Sequence, residues 1–270
     1  MKKLLICLLF LSVNFYAQTK EKVLEEGYKL YRSEKASWHG TDVFLEKHGD
    51  KRDQIKGYFS YPNNNKYHCV FYDDQPSPNV VGMVSFDEDF DLTKATVDIT
   101  SRKLTSKEFD YFDLRNKTMN LINKDSIFEF YKNTGLNAIP VITKKEKKVY
   151  VLTGPKISGV VIFGNDYLIN FNKKNEITSR KKLHNNIIVL EYESGEKTVT
   201  TMHNHNEVTG DLITPTDICT LLLYGKFTNW RQHIVMGKNK VSIWNCEKES
   251  LFVMKRKAWD KIYNQENKDK

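Results

Sequence analysis

Apolar and polar positions alternate along much of this chain, and a period of two is typical of half-buried β-strands. Between residues 55 and 100, three such runs are each followed by turn residues, and they read IKGYFSY, YHCVFYDD and NVVGMVSF. Seven more runs lie between residues 148 and 246: KVYVLTG, GVVIFGNDYLINFN, EITSRKKLHN, NIIVLEY, KTVTTMHNH, QHIVMGKN and KVSIWNC. The pattern predicts a chain rich in strands that are joined by tight, polar turns.

Helical spacing of apolar residues is found in fewer places. Residues 22–32 fit either a short helix or an amphipathic strand. Residues 105–136 predict two helices, of which the first is capped by Thr105 or Ser106. The second reads DSIFEFYKNTG and is expected to end at Gly135. Near the C-terminus, LFVMKRKAWDKIYN fits a strand or a short helix that leads into a charged tail.

The first 17 residues have the layout of a secretory signal peptide. Lys2 and Lys3 provide a basic start, residues 4–13 form an apolar core, and cleavage is expected before Gln18. This apolar core is too short to span a bilayer. We therefore expect the mature protein to be exported to the periplasm or the extracellular space.

The chain has a net charge of +8, and basic residues cluster in short runs. These runs lie at residues 144–148, 180–182 and 255–257. They fit either binding to an acidic polymer or solvated turns and a charged strand edge. Because an exported protein rarely meets nucleic acid, we interpret them as solvated segments and expect no nucleic-acid partner.

Three cysteines remain after the signal peptide: Cys69, Cys219 and Cys246. An odd number in an oxidising compartment permits at most one internal disulfide. Cys219 and Cys246 are the favoured pair because both lie in the C-terminal region. The alternative is that all three are thiols that pack as small hydrophobic side chains.

The stretch TTMHNHNEVTGDLITPTDICTLL carries the candidate chemistry. His203 and His205 end a predicted strand, and side chains two residues apart in a strand lie on the same face. A helix is predicted over residues 215–226, with Thr214 as its N-cap and Asp217 at its third position. Two imidazoles and one carboxylate are a ligand set for catalytic zinc, which lowers the pKa of bound water and polarises a carbonyl. Alternatively, Thr214 and Asp217 form only a capping box.

The segment HNHNEVTGDLITPTDI resembles the His-x-His…Ser-x-x-Asp signature of JAMM/MPN-type zinc metalloproteases, which include deubiquitinating isopeptidases and bacterial RadC-like proteins. The resemblance covers roughly residues 160–247. Upstream, YLINFNKKNEITSRKKLHNNI is similar to the first hairpin of that fold. Downstream, TNWRQHIVMGKNKVSIW is similar to the strand pair that follows the metal-binding helix.

The resemblance implies that His203, His205 and Asp217 bind Zn²⁺. It also places Thr214 where the family has a serine that helps to stabilise the oxyanion of the tetrahedral intermediate. Eleven residues separate His205 from Asp217, one more than in the usual pattern. Asn206 stands where the family usually has proline.

The general base is the main departure from the family pattern. The family supplies a glutamate from the second strand of the first hairpin, but here that strand reads ITSRKKLHN and has no carboxylate. Glu191 is the first replacement to consider, because NIIVLEY is expected to pair with the histidine strand through the ESGE turn. Glu193 is the second candidate, and His184 is a possible substitute base.

The predicted fold is α+β: a signal peptide (1–17), a β-rich region (18–150), a JAMM-like mixed α/β domain (151–250) and a charged C-terminal segment (251–270). The leading expectation is an exported zinc-dependent peptidase or isopeptidase that acts on a protein or peptide. The alternative is an exported binding protein whose JAMM-like fold has no catalytic activity. The strand without a carboxylate favours the alternative.

Overall fold

A computed structural model describes residues 19–192 and 199–266 of the chain. Within them the fold is α+β, as predicted, with several sheets and four α-helices. The helices are α1 (Lys20–His48), α2 (Ser106–Ile122), α3 (Pro215–Tyr224) and α4 (Arg256–Glu266). Among these helices, none has the combination of length and apolar character needed to cross a membrane. The predicted signal peptide lies outside the described residues.

The first sheet contains the three strands predicted between residues 55 and 100. Its members are β1 (Gly57–Asn63), β2 (Lys66–Tyr72), β3 (Asn79–Asp87), β4 (Thr96–Asp98) and β5 (Arg102–Lys103). The order is β1-β2-β3-β4, all antiparallel, and β5 also pairs with β3. Helix α1 packs closely on this sheet. Its Phe44 ring lies against Gly82 of β3, where an added Cβ would be only 2.2 Å from the ring.

Helix α1 settles the alternatives for residues 22–32 in favour of a helix, and it continues to His48. Its N-terminal half packs against α3, where a Cβ at Gly27 would lie 2.5 Å from the side chain of Ile218. Its C-terminal half covers the first sheet with Ala36, Val43 and Phe44. One long helix therefore connects the first sheet to the candidate site.

The second sheet lies in the middle of the chain. Its strands are β6 (Thr134–Ile142), β7 (Lys147–Pro155), β9 (Tyr167–Phe171) and β10 (Ile177–Lys182), in the order β10-β9-β7-β6. The boundary expected near residue 150 falls inside β7, which pairs with β6 on one side and with β9 on the other. This sheet therefore joins the two regions predicted from the sequence.

The helix predicted over residues 125–135 is wrong. These residues form turns, and β6 begins at Thr134, before the glycine that was expected to end the helix. Phe128 is buried against Tyr167, with ring centroids 4.6 Å apart, and the Tyr167 hydroxyl accepts a hydrogen bond from the Glu129 N–H. These long-range contacts outweigh a weak local helical pattern.

Two smaller sheets complete the fold. Strands β8 (Val160–Gly164) and β11 (Ile187–Glu191) form an antiparallel pair, and β12 (Val199–Asn204), β13 (Trp230–Met236), β14 (Lys240–Asn245) and β15 (Ser250–Lys255) follow one another in a four-stranded sheet. The expected pairing of β11 with β12 is wrong in the described residues, because β11 pairs with β8. The ESGE turn, and Glu193 with it, lies outside the described residues.

The predicted disulfide is not formed. Cys69, Cys219 and Cys246 are free thiols, and Cys69 and Cys219 are fully buried. Burial raises the pKa of Cys69 to about 12, so this thiol packs as an unreactive small hydrophobe.

Candidate metal centre

The C-terminal end of β12 positions two of the predicted ligands. β12 runs parallel to β13, and His205 continues the ladder one residue past the strand by donating its N–H to the Met236 carbonyl. His203 and His205 are both buried, whereas Asn204 between them is exposed. The two-residue period therefore turns both imidazoles toward the same side, as predicted.

The N-terminus of α3 positions the predicted carboxylate. The capping box is present: the Thr214 hydroxyl accepts from the Asp217 N–H at 3.1 Å, and Asp217 Oδ2 accepts from the Thr214 N–H at 2.9 Å. The same Oδ2 atom lies 3.3 Å from His205 Nε2. Asp217 thus caps the helix and faces the histidines at once, so the two alternatives weighed from the sequence do not exclude each other.

A third histidine completes the group. His184 lies in the turn between β10 and β11, and its Nε2 is 3.0 Å from His205 Nε2. His203 Nε2 lies 2.9 Å from the same atom. One donor atom from each of His184, His203, His205 and Asp217 lies within 4.8 Å of the other three, and all four residues are buried. These four side chains, hereafter the metal centre, could hold a metal ion.

The outer ring nitrogen of each of the three histidines contacts a further polar group. His184 Nδ1 lies 2.6 Å from Asp166 Oδ1, and His205 Nδ1 lies 3.0 Å from the Leu212 carbonyl. His203 Nδ1 lies 2.9 Å from His233 Nε2. Such outer partners fix the ring orientation of metal-binding histidines and raise their basicity.

These partners also determine where the protons lie. The Asp166 carboxylate and the Leu212 carbonyl only accept, so the Nδ1 atoms of His184 and His205 carry hydrogens. In the neutral rings both Nε2 atoms then carry lone pairs, yet they are 3.0 Å apart. Either a proton or a metal cation must lie between them, and convergent lone pairs are the arrangement that a metal site requires.

The charges of the site favour a cation. Burial raises the pKa of Asp217, but the three neighbouring histidines lower it well below its ordinary value. Burial lowers the pKa of His203 to about 4, so this ring is neutral and ready to bind a metal at neutral pH. For His184 burial lowers the pKa, whereas Asp166 and Asp217 raise it to about 9.

The predicted catalytic residues have different positions. Thr214 is buried beside the metal centre, with its hydroxyl 2.8 Å from that of Thr216. Glu191 is exposed at the end of β11, opposite Val160, and is not a member of the metal centre. Of the three candidate bases only His184 belongs to this group, while Glu193 lies outside the described residues.

Two residues of the site were missed from the sequence. Asp166 lies in the turn between β8 and β9, is buried, and accepts hydrogen bonds from His184 and from the Thr216 hydroxyl. His233 is fully buried on β13, where it stacks on Phe163 with ring centroids 4.6 Å apart. No local pattern marks Asp166, whereas a histidine in an apolar strand was a weak signal for His233.

No family model, curated protein or solved structure matches this chain. The case for a metal site therefore depends on the residues and their geometry.

Proposed function

We propose that this chain is an exported zinc-binding protein of JAMM-like type, in which the metal centre has a structural rather than a catalytic role. The observation that carries the proposal is the convergence of four buried protein ligands, none of them more than 7% exposed. Structural zinc sites have four protein ligands, whereas catalytic sites leave one position open.

The donor set supports zinc as the metal. Imidazole nitrogens and a carboxylate oxygen are ordinary zinc ligands, and zinc-to-donor distances of about 2.0–2.2 Å place ligand atoms roughly 3.3 Å apart in a tetrahedron. Five of the six donor pairs are 2.9 Å to 3.8 Å apart when the nearer Asp217 oxygen is taken for each histidine, and all four donors lie within 4.8 Å of one another. Small adjustments of the rings would accommodate the ion.

A structural role follows from the segments that the ligands join. His184 follows the β9–β10 hairpin, His203 and His205 end β12, and Asp217 begins α3. Among the described residues, β12 and β10 belong to different sheets. A metal bound by all four side chains would join these segments at one point, so binding free energy would add to folding free energy.

A hydrolase is the second candidate, and one observation favours it. The family has its general base on the second strand of the first hairpin, and here His184 follows that strand. Asp166 accepts a hydrogen bond from His184 Nδ1. Bound zinc would polarise a peptide carbonyl and activate water. In that case His184 would accept a proton through Nε2 and Asp166 would orient its ring, while the Thr214 hydroxyl would turn from Thr216 to donate a hydrogen bond to the oxyanion.

Metal analysis of the mature protein tests the proposal. We expect one zinc per chain in the wild type and in His48→Ala, a control outside the site, and none in His203→Ala/His205→Ala. Equal, negligible zinc in the wild type and the double variant after zinc loading would show that the histidines are not ligands.

His184→Ala separates the two candidates. If His184 is a fourth ligand, this variant should bind zinc at least about 100-fold more weakly than the wild type, and neither protein should cleave casein. If His184 is instead a general base, zinc affinity should be nearly unchanged, and the zinc-loaded wild type should cleave casein while the variant does not.

A further inference from the structure

A cleft lined by aromatic side chains lies at the other end of α3 from the metal centre. It has a volume of about 510 Å³, and its aromatic lining consists of Trp38, Tyr192, Tyr224 and Phe227. Trp38 lies on α1, Tyr192 directly follows β11, Tyr224 ends α3, and Phe227 lies three residues beyond that helix. We call this feature the aromatic cleft. Its volume is within the range of small-molecule sites.

Two of the aromatic rings that line the cleft are largely exposed. Trp38 is 43% exposed and Phe227 is 54% exposed, whereas Ser37, which precedes Trp38 on α1, is buried. The Trp38 ring lies 6.0 Å from Phe227 and 6.4 Å from Tyr224, measured between centroids. Exposed apolar groups that cluster in a concave surface mark binding sites more often than singly exposed side chains do.

One positively charged side chain lines the aromatic cleft. Lys156 lines it, and no carboxylate is among the lining side chains in the described part of the chain. Lys226 precedes Phe227, and neither Lys156 nor Lys226 forms an ion pair within residues 19–192 and 199–266. Lys156 therefore offers an exposed positive charge on the wall of the cleft with which an anionic group could pair.

We propose that the aromatic cleft binds a small planar anion, such as an aromatic carboxylate. Its ring would pack against Trp38 and Phe227, where aromatic pairs add to the burial of apolar area. Its carboxylate would pair with Lys156. The probe 2-naphthoate represents this class, and 2-naphthamide has the same shape without the charge.

The aromatic cleft is separate from the metal centre. Asp217 and Tyr224 are seven residues apart on α3, which places them about 10 Å apart along the helix axis. No ligand of the metal centre lines the cleft. This proposal therefore does not depend on zinc, and zinc-loaded protein and chelator-treated protein that remains folded should bind the probe equally.

Nuclear magnetic resonance tests the proposal directly. The chain has four tryptophans, so few indole N–H signals are expected, and Trp38→Phe identifies the one from Trp38. Titration with 2-naphthoate should shift that signal with a Kd of about 1 mM or tighter, and 2-naphthamide should bind at least about 3-fold more weakly. Lys156→Met should weaken binding of the carboxylate without changing binding of the amide.

Two further variants make the result decisive. Phe227→Ala should weaken 2-naphthoate binding about 10-fold, whereas Phe130→Ala, which removes a 67% exposed ring outside the cleft, should leave it unchanged. The dispersion of the amide signals shows that each variant is folded. The proposal is overturned if the Trp38 signal does not move up to about 10 mM probe, if amide and carboxylate bind equally, or if Phe227→Ala binds as the wild type does.

Discussion

Helices α2 and α3 begin with the same local motif, yet their first turns have different tertiary partners. Each starts with a threonine N-cap and has a carboxylate at the third helical position: Thr105 with Glu108, and Thr214 with Asp217. Both capping boxes are complete, and both carboxylates are 1% exposed. The backbone hydrogen bonds of the two capping boxes are therefore the same, although the Thr105 hydroxyl also donates to Glu108 while the Thr214 hydroxyl bonds to Thr216.

The neighbours of the two carboxylates differ in kind. Glu108 receives two hydrogen bonds of 2.7 Å from the Arg102 guanidinium and one of 3.0 Å from the Tyr61 hydroxyl. Asp217 faces three imidazoles, two of which direct lone pairs inward when neutral. The side chain of Arg102 neutralises the first carboxylate, whereas the positive charge beside Asp217 comes from a proton on His184 or from a bound metal ion. A buried carboxylate is a candidate metal ligand when its neighbours can turn lone pairs toward it, as imidazoles can, and not when they are fixed hydrogen-bond donors, as a guanidinium is.

Metal removal should have the largest effect of the changes predicted here, and it should act on the group around Asp217 and not on the group around Glu108. We expect chelation, or His203→Ala/His205→Ala, to lower the free energy of unfolding by more than about 5 kcal/mol, because zinc binding adds to folding. Thermal unfolding with and without chelator measures this change. An unchanged Tm in a protein shown to have lost its zinc would contradict the structural role.

Arg102→Ala should remove the positively charged partner of Glu108 at the start of α2. Because Glu108 would stay buried without its charged partner, we expect a loss of about 2–4 kcal/mol, reduced from the cost for a fully buried pair since Arg102 is 32% exposed. Urea unfolding measures it. Arg102→Lys, which keeps the charge but not the two-pronged geometry, should lose less. A loss below about 0.5 kcal/mol in Arg102→Ala would show that the pair is not stabilising.

Acid should remove the stabilisation that the Glu108 carboxylate provides. Burial raises the pKa of Glu108, but the hydrogen bonds from Arg102 and Thr105 lower it to about 2, against an ordinary value of 4.5. A lowered folded-state pKa contributes stability that is present above pH 4.5 and is lost as the pH falls toward 2. We expect this contribution, at most about 3 kcal/mol, in the wild type and a much smaller one in Arg102→Ala. Equal acid sensitivity of the two proteins between these pH values would refute the assignment.

Asp166→Asn should weaken the metal centre without removing a ligand. The amide can no longer present a carboxylate to His184 Nδ1, and loss of such an outer partner typically costs about 10–100-fold in metal affinity. Competition with a chromophoric zinc chelator measures it. Asp91→Asn is the matched control, because Asp91 is the N-cap of a short 3-10 helix and is not a member of the metal centre, and this variant should bind zinc as the wild type does. Unchanged affinity in Asp166→Asn would mean that Asp166 does not support the site.

Glu191→Gln should have the smallest effect. Its side chain is exposed on β11 and is not a member of the metal centre, so zinc content should be unchanged and the free energy of unfolding should change by less than about 0.5 kcal/mol. Zinc analysis and urea unfolding of one preparation are sufficient. A clear loss of zinc would restore Glu191 as a member of the site.

The local features of the candidate site were readable in the sequence. A period of two places His203 and His205 on one face of β12, and threonine, proline and aspartate at the start of α3 define a capped helix. Each depends on residues within a few positions of one another. Backbone geometry and helix capping are sufficient to predict them.

The remaining parts of the site were decided by tertiary structure. His184 and Asp166 lie on different turns, and they reach the metal centre because β9 pairs with β10 and β11 pairs with β8. The sequence predicted a partner for β11 that the structure does not show, which misplaced Glu191. The turns at 125–133 likewise depend on Phe128 packing against Tyr167. Strand pairing and burial join residues that are distant in the chain, so short-range patterns determined the two histidines and the cap, while long-range packing determined which fourth side chain completes the site.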